Sequence, residues 1–103
     1  MPKLNAYITF SKKFPEQRKA LRELRSSFED SSIILRGSKS IDKIVKDASL
    51  KGFEKIIIIE RLADDELKAI SIRSRFNKGK LEWDYGKEFK ASSIKELLKK
   101  FKN

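Results

Sequence analysis

IILRGSKSIDKIVKDASLKGFEKIIIIE, residues 33–60, is the stretch that decides the fold. Ile33–Leu35 is a brief apolar run of strand type, stopped by Arg36–Gly37. Ser40 precedes a helical pattern, where its hydroxyl can cap a free backbone N–H. Ile41, Ile44, Val45 and Ala48 recur at i, i+3, i+4 and i+7, the apolar stripe of a helix. Gly52 is the residue type that closes a helix in the left-handed region. Ile56–Ile59 then follows as consecutive β-branched residues. A strand apolar on both faces belongs in the middle of a sheet, with a layer above and another below. Strand, helix and strand in this order imply a right-handed crossover and parallel pairing.

The flanks extend the pattern. Upstream, Leu4–Phe10 is β-prone, with Tyr7, Ile8 and Thr9 at its centre. Pro15 suits a first helical turn, where a missing N–H costs nothing. Ala20, Leu21, Leu24 and Phe28 form a helical stripe, and Ser31–Ser32 breaks the helix. Arg18, Arg22 and Arg25 share another face, either a solvated one or a functional stripe. Downstream, Arg61–Glu66 reads as a loop. From Leu67 the pattern alternates, with Ile70, Ile72 and Phe76 on one side and Ser71, Arg73 and Arg75 on the other. Asn77-Lys78-Gly79 is a turn, and Leu81, Trp83 and Tyr85 alternate against Glu82 and Asp84. This is an antiparallel hairpin, in which Trp83 and Tyr85 are expected to pack and be buried. Ser93 with Glu96 forms a capping box for a last helix that buries Ile94, Leu97, Leu98 and Phe101. Lys95, Lys99, Lys100 and Lys102 fall outside that stripe. The expected fold is α/β, one domain over residues 1–103, in the order β-α-β-α-β-β-β-α. Its mixed sheet has three parallel strands and an antiparallel hairpin, with helices on the sheet faces.

Composition narrows the function. The 103 residues carry 25 Lys and Arg against 15 Asp and Glu, a net charge of +10. A small domain this basic points to polyanion partners, nucleic acid first and anionic membrane second. The chain has no Cys and no His. That excludes disulfides, thiolate chemistry, His-based acid–base catalysis and the usual zinc sites. There is no apolar leader, and the longest apolar run is Ile56–Ile59. The expectation is a cytoplasmic protein that neither carries a signal peptide nor spans a membrane. Its richness in Lys, Glu and Ile fits a heat-adapted, archaeal-like source.

Two basic loops, SKKF at Ser11–Phe14 and RGSKS at Arg36–Ser40, each follow a strand and open a helix. Parallel strands side by side would bring both loops to one end of the sheet. Lys12, Lys13, Arg36 and Lys39 would then converge beside two helix N-termini, a setting that favours phosphate. Ligands of open α/β sheets bind outside the carboxyl ends of the strands. Neither GxxxxGK[ST] nor GxGxxG is present. Gly37 contributes one permissive position, and Phe14 is a candidate for base stacking. Asp64, Asp65 and Glu66 are the acidic cluster, read as solvated residues or counterions rather than a magnesium site. Ser11, Ser38 and Ser40 have no His or Cys partner. The chain is therefore read as non-enzymatic, with no cofactor and no metal.

AYITFSKKFPEQRKALRELR resembles the opening of the Brix domain of ribosome-biogenesis proteins, roughly I-T-T-S-R-x-P-S-x-R-T followed by a helix. RGSKSIDKIVKDASLKGFEKIIIIE resembles the next block of that family, R-G-K-x-S-L, a helix, a Gly and a hydrophobic strand. Ser11 and Lys12 take the places of the family's Ser-Arg. Pro15 and Arg18 match its Pro and downstream Arg, after one extra loop residue, and Glu16 replaces a Ser. Arg36, Gly37, Ser40 and Gly52 match directly, while Ala63–Glu66 stands where the family has Gly-Asn-Pro. The resemblance implies a fold like the anticodon-binding domain of class IIa aminoacyl-tRNA synthetases and a role in ribosomal RNA processing or subunit assembly. A Brix domain usually has two similar halves, and this chain is long enough for about one. A stand-alone minimal form, a fragment and half of a homodimer are all consistent with that length. The expected contacts to RNA are Lys12, Lys13, Arg18, Arg22, Arg36, Gly37, Lys39 and Arg73. The partner is ribosomal RNA or a pre-ribosomal particle. The alternatives are a tRNA-binding module or a dimeric protein-interaction scaffold.

Overall fold

The computed structural model describes residues 5–25 and 31–101, and for Arg25 the backbone alone. Leu4, Phe28 and Lys102, placed above in a strand and two helices, lie outside the described residues, as does the side chain of Arg25. The elements are β1 (Tyr7–Phe10), α1 (Gln17–Arg25), β2 (Ser32–Ile33), α2 (Ile41–Leu50), β3 (Lys55–Ala63), β4 (Glu66–Asn77), β5 (Lys80–Ala91) and α3 (Ile94–Lys99). They form one mixed sheet in the order β2-β1-β3-β4-β5. β1 lies parallel to both β2 and β3, whereas β3, β4 and β5 run antiparallel. The α/β class and the element order expected from the sequence are those observed.

Topology dictates where the helices go. The first crossover carries the chain outward from β1 to β2, and the second returns it past β1 to β3. Two right-handed crossovers running in opposite directions place their helices on opposite faces. Accordingly Ala20 and Leu24 of α1 join Leu97 and Leu98 of α3 against Ile8, Phe10, Ile57 and Ile59. Ile44, Val45 and Ala48 of α2 cover Tyr7, Ile56, Ile58 and Ile72 on the other face. The isoleucine run is thus split alternately between two cores, with all four side chains buried. Each contributes about 1.5–3 kcal/mol by leaving water. Both α2 and α3 start as expected. The Ser40 hydroxyl accepts from the Lys43 N–H, and the Ser93 hydroxyl from the Glu96 N–H. Gly52 follows α2 at φ +86, the left-handed position anticipated for it.

The downstream half differs from expectation at three places. Arg61–Glu66 is not a loop. β3 continues to Ala63, β4 begins at Glu66, and only Asp64 and Asp65 remain in the turn. Pairing of Arg61 with Leu67 carries the ladder on, and the Arg61 guanidinium donates to the Ala63 and Asp64 carbonyls at 3.4 and 2.8 Å. Second, Tyr85 is 54% exposed and Trp83 only half-buried. β5 is an edge strand, so nothing beyond it covers Tyr85. Third, Phe76 shares the face of Ile70 and Ile72 but is 68% exposed. It lies past Ser74, whose N–H donates to the Glu54 carbonyl just before β3 starts, and the two-stranded arm projects from there. Lys78 and Gly79 turn the arm with φ +53 and +80, the two positive values of a tight hairpin.

A bulge in β5 sorts the arm's side chains. Ile70 pairs with Glu88 and Ile72 with Tyr85, so Ser71 opposes both Gly86 and Lys87. Leu81 and Trp83 therefore pack on the α2 face, whereas Phe89 and Ala91 pack on the α1–α3 face. All four positions are odd-numbered, and an unbroken strand would have aimed them one way.

A Cβ on Gly86 would stand 2.6 Å from Ser71 Oγ, which donates to the Lys87 carbonyl at 3.1 Å. Gly86→Ala is expected to cost about 1 kcal/mol, the worth of the hydrogen bond broken as Ser71 rotates away. Urea denaturation should show a smaller cost in a Ser71→Ala background, and equal costs would refute this account. A second expectation concerns Tyr7, which is buried under Phe53 and Lys51. Burial first, and Asp47 second, raise its pKa above the ordinary 10.0. Above that pH the unfolded chain loses the phenolic proton while the folded chain keeps it, so stability falls as pH rises. Denaturation at pH 9 and pH 11 should show a smaller alkaline loss in Tyr7→Phe than in the parent chain.

Candidate nucleic-acid interface

β1 ends at Phe10 opposite Ile59, and the Ser11 N–H donates to the Ile59 carbonyl at 2.8 Å as the last rung. The chain then turns, with the Phe14 N–H donating to the Ser11 carbonyl at 3.1 Å. Phe14 is 4% exposed, packs on Phe10 with ring centroids 5.0 Å apart, and lies under the Arg61 guanidinium at 5.5 Å. It anchors the loop and is not available for stacking on a base. The anchored ring leaves Lys12 and Lys13 in solvent.

The two basic loops do meet at the carboxyl end of the parallel strands, held by a lock of polar groups. The Arg36 N–H donates to Gln17 Oε1 at 2.9 Å, and Gln17 Nε2 donates to the Phe14 carbonyl at 3.2 Å. Arg36 Nε donates to the Lys39 carbonyl at 2.8 Å and Nη1 to the Phe10 carbonyl at 3.1 Å. Arg36 is only 7% exposed, and its burial lowers the guanidinium pKa below the ordinary arginine value. It remains a cation at neutral pH, because an arginine stays protonated in a protein. Its charge is spent on two carbonyls that close the loops. Arg61 performs the same service on the other side, reaching Glu16 at 3.8 Å.

The remaining predicted residues separate into groups. Lys12, Lys13, Arg18 and Arg22 are exposed on the β1–α1 segment, with no carboxylate partner among the described residues. Lys39 lies at the rim and shares Asp47 with Lys43, at 3.4 and 3.6 Å. Gly37 is exposed at φ +60 with open space where a Cβ would stand, so the backbone conformation rather than crowding asks for glycine. Arg73 does not join the crevice. It pairs with Lys55 at the opposite end of β3, four residues along β4 from Ala69, or about 13 Å. The Asp64–Asp65 turn, by contrast, does sit at the loop end of the sheet, because β3 runs on past Ile59. Among the described residues no group of three or more carboxylates is arranged to hold a metal ion, and no helix is long and apolar enough to cross a membrane.

Gln17 and Arg61 were not anticipated. Arg61 carried a usable signal, since its parity in β3 matches Ile57 and Ile59 and aims it at α1. Gln17 carried none, because an amide at a helix start is ordinary.

Arg36→Ala should therefore destabilise the fold by about 2–3 kcal/mol, the scale of lost charge-assisted hydrogen bonds. Arg36→Lys should recover little, because an ammonium cannot reach two carbonyls with a planar fork. Lys12→Ala should leave the denaturation midpoint within about 0.5 kcal/mol of the parent, as for other exposed side chains. Thermal or urea denaturation of the three variants checks this, and an unchanged Arg36→Ala midpoint would contradict the lock.

No family model matches the chain, and no curated protein matches it in sequence. Among solved structures, its fold is similar to the crystal structure of a probable ribosomal biogenesis protein from Aeropyrum pernix K1. The TM-score is 0.52 with 11% sequence identity, over 70% of this chain and 48% of that one. The likeness spans about half the length of the Aeropyrum protein, and at this identity what the two chains share is a fold.

Proposed function

We propose that the chain is a single-domain, non-enzymatic RNA-binding protein of Brix-like type that acts in ribosome biogenesis. The observation that carries this reading is the set of exposed cations Lys12, Lys13, Arg18 and Arg22, without a carboxylate partner among the described residues, in a chain of net charge +10. The name given to the Aeropyrum protein of similar fold supports the biological setting. RNA phosphates would be gripped at the rim of the crevice, from the β1–α1 turn and the outer face of α1. Arg36 holds the loops in place beneath and does not itself reach the RNA. Such contacts position a folded or single-stranded RNA and carry little sequence information.

The absence of enzymatic chemistry follows the same logic. The chain has no His or Cys to act as base or nucleophile. The Ser11 hydroxyl at the crevice is buried and neither accepts nor donates a hydrogen bond among the described residues, so none of them is placed to activate it.

Binding of a labelled ribosomal RNA fragment and of tRNA, across a salt series, tests the proposal. Contact with about four to six phosphates gives a log–log slope of roughly −3 to −4 for single strands. Replacing Lys12 and Lys13 together with Ala should flatten that slope by about 1.4. Arg73→Ala should leave slope and affinity unchanged. A preference for tRNA would replace ribosome biogenesis with a tRNA-binding role, and no binding at low salt would end the RNA reading.

A further inference from the structure

Away from the crevice rim, a groove of about 400 Å³ runs between α2 and the projecting β4–β5 arm, within the size range of ligand sites. Its walls include Asp42, Lys46, Leu50, Phe76, Leu81 and Trp83. Leu50 and Phe76 are 78% and 68% exposed, large apolar surface left in water beside a core that is otherwise closed. Trp83 Nε1 donates to Asp42 Oδ1 at 2.9 Å, which pins the indole against the start of α2. Tyr85 meets the Trp83 ring edge-on, with centroids 5.2 Å apart. Three aromatic rings, Phe76, Trp83 and Tyr85, thus lie along one face of the arm, two of them well exposed.

The charges around the groove indicate what fills it. Lys46 lines the groove and Lys78 adjoins it in the turn at Gly79, both exposed and without a carboxylate partner among the described residues, whereas Lys80, opposite Asn77, shares the other face of the arm with Arg75 and Asp84, which pair at 3.4 Å. A cationic rim around aromatic walls is poorly matched to an apolar peptide. It is well matched to a chain of phosphates carrying flat bases, since every base has a π-face. The groove and the RGSKS loop share α2. The groove starts at Asp42, two residues beyond the Ser40 cap of the RGSKS loop, and reaches Leu50, about 12 Å along α2.

We propose that this groove is a second RNA site, in which an unpaired base stacks on Phe76 and Trp83 while Lys46 and Lys78 hold the adjoining phosphates. The Asp42 carboxylate accepts hydrogen bonds from the N–H groups on the edge of that base. This rests on the RNA-binding reading above and adds single-stranded RNA as the ligand class.

Trp83 is the only tryptophan in the chain, so its emission reports on the groove directly. The protein is titrated with an end-labelled single-stranded RNA hexamer and with an abasic ribose-phosphate hexamer, reading label anisotropy and Trp83 emission together. The RNA hexamer is expected to quench Trp83, while the abasic hexamer binds more weakly and leaves emission unchanged. Phe76→Ala should weaken binding of the RNA hexamer about tenfold, the scale of one stacked base. Its thermal midpoint should stay put, because the ring is exposed. RNA binding by anisotropy with unchanged Trp83 emission overturns the groove site and leaves the RNA reading standing. No anisotropy change with either the hexamer or the ribosomal fragment overturns both. Equal quenching by the abasic hexamer overturns stacking, and a concentration-dependent shift of Trp83 emission without RNA assigns the face to a second copy of the chain instead.

Discussion

Burial of β3 on both faces is the constraint from which the rest of this structure follows. Ile57 and Ile59 need a layer on one side, and Ile56 and Ile58 need a layer on the other. A short chain can supply both layers only if successive crossovers leave the sheet on opposite faces, which the order β2-β1-β3 achieves. The same order sets the carboxyl ends of β1 and β2 side by side, so the two basic loops are brought together by the packing of the core. The meeting of the loops and the core are in this sense one arrangement.

That dependence explains why the first half of the chain could be read from its residues. The i, i+3, i+4 stripe of α2, its Ser40 cap and the β-branched run of β3 are local patterns whose meaning does not change with context. Even β2, reduced to Ser32–Ile33 where Ile33–Leu35 was expected, kept its place in the sheet. Residue roles at the crevice were harder to read because charge is visible in a sequence and burial is not. Arg36 and Lys12 look alike as letters, yet one is folded inward onto the Phe10 and Lys39 carbonyls and the other projects into water. The difference is set by Gln17, nineteen residues upstream in sequence but adjacent in space to the Arg36 N–H.

The second half resisted for a different reason. Alternation identifies a strand but cannot say where its phase slips. Leu81, Trp83, Phe89 and Ala91 share one parity, and only the pairing of Ser71 with two residues reveals that they serve different cores. The strand ends were equally opaque. Nothing local distinguishes Phe76 from Ile72, because the exposure of Phe76 comes from β3 having started three residues too late to cover it. Glycine at position 86 was the one available hint, since an isolated glycine inside a strand marks bulges and close approaches.

The distribution of charge unites these observations. The net +10 is not spread evenly over the surface. On the upper part of the hairpin sheet, Lys68 sits between Glu60 and Glu88 at 3.4 and 3.2 Å, and Lys90 reaches Glu66 at 3.8 Å. The hydrogen bond to Glu88, with help from Glu60, raises the pKa of Lys68, the sign expected of a cation committed to its carboxylates. Lys39 and Lys43 share Asp47. Subtracting these committed pairs leaves, among the described residues, exposed cations without a carboxylate partner on the β1–α1 segment and beside the groove along α2, and also elsewhere, as at Arg73, Lys87, Lys95 and Lys99. Exposed ion pairs of this kind add little stability. Their larger effect is to cancel positive potential where they sit, so that the net +10 is expressed on the surfaces that carry no pairs.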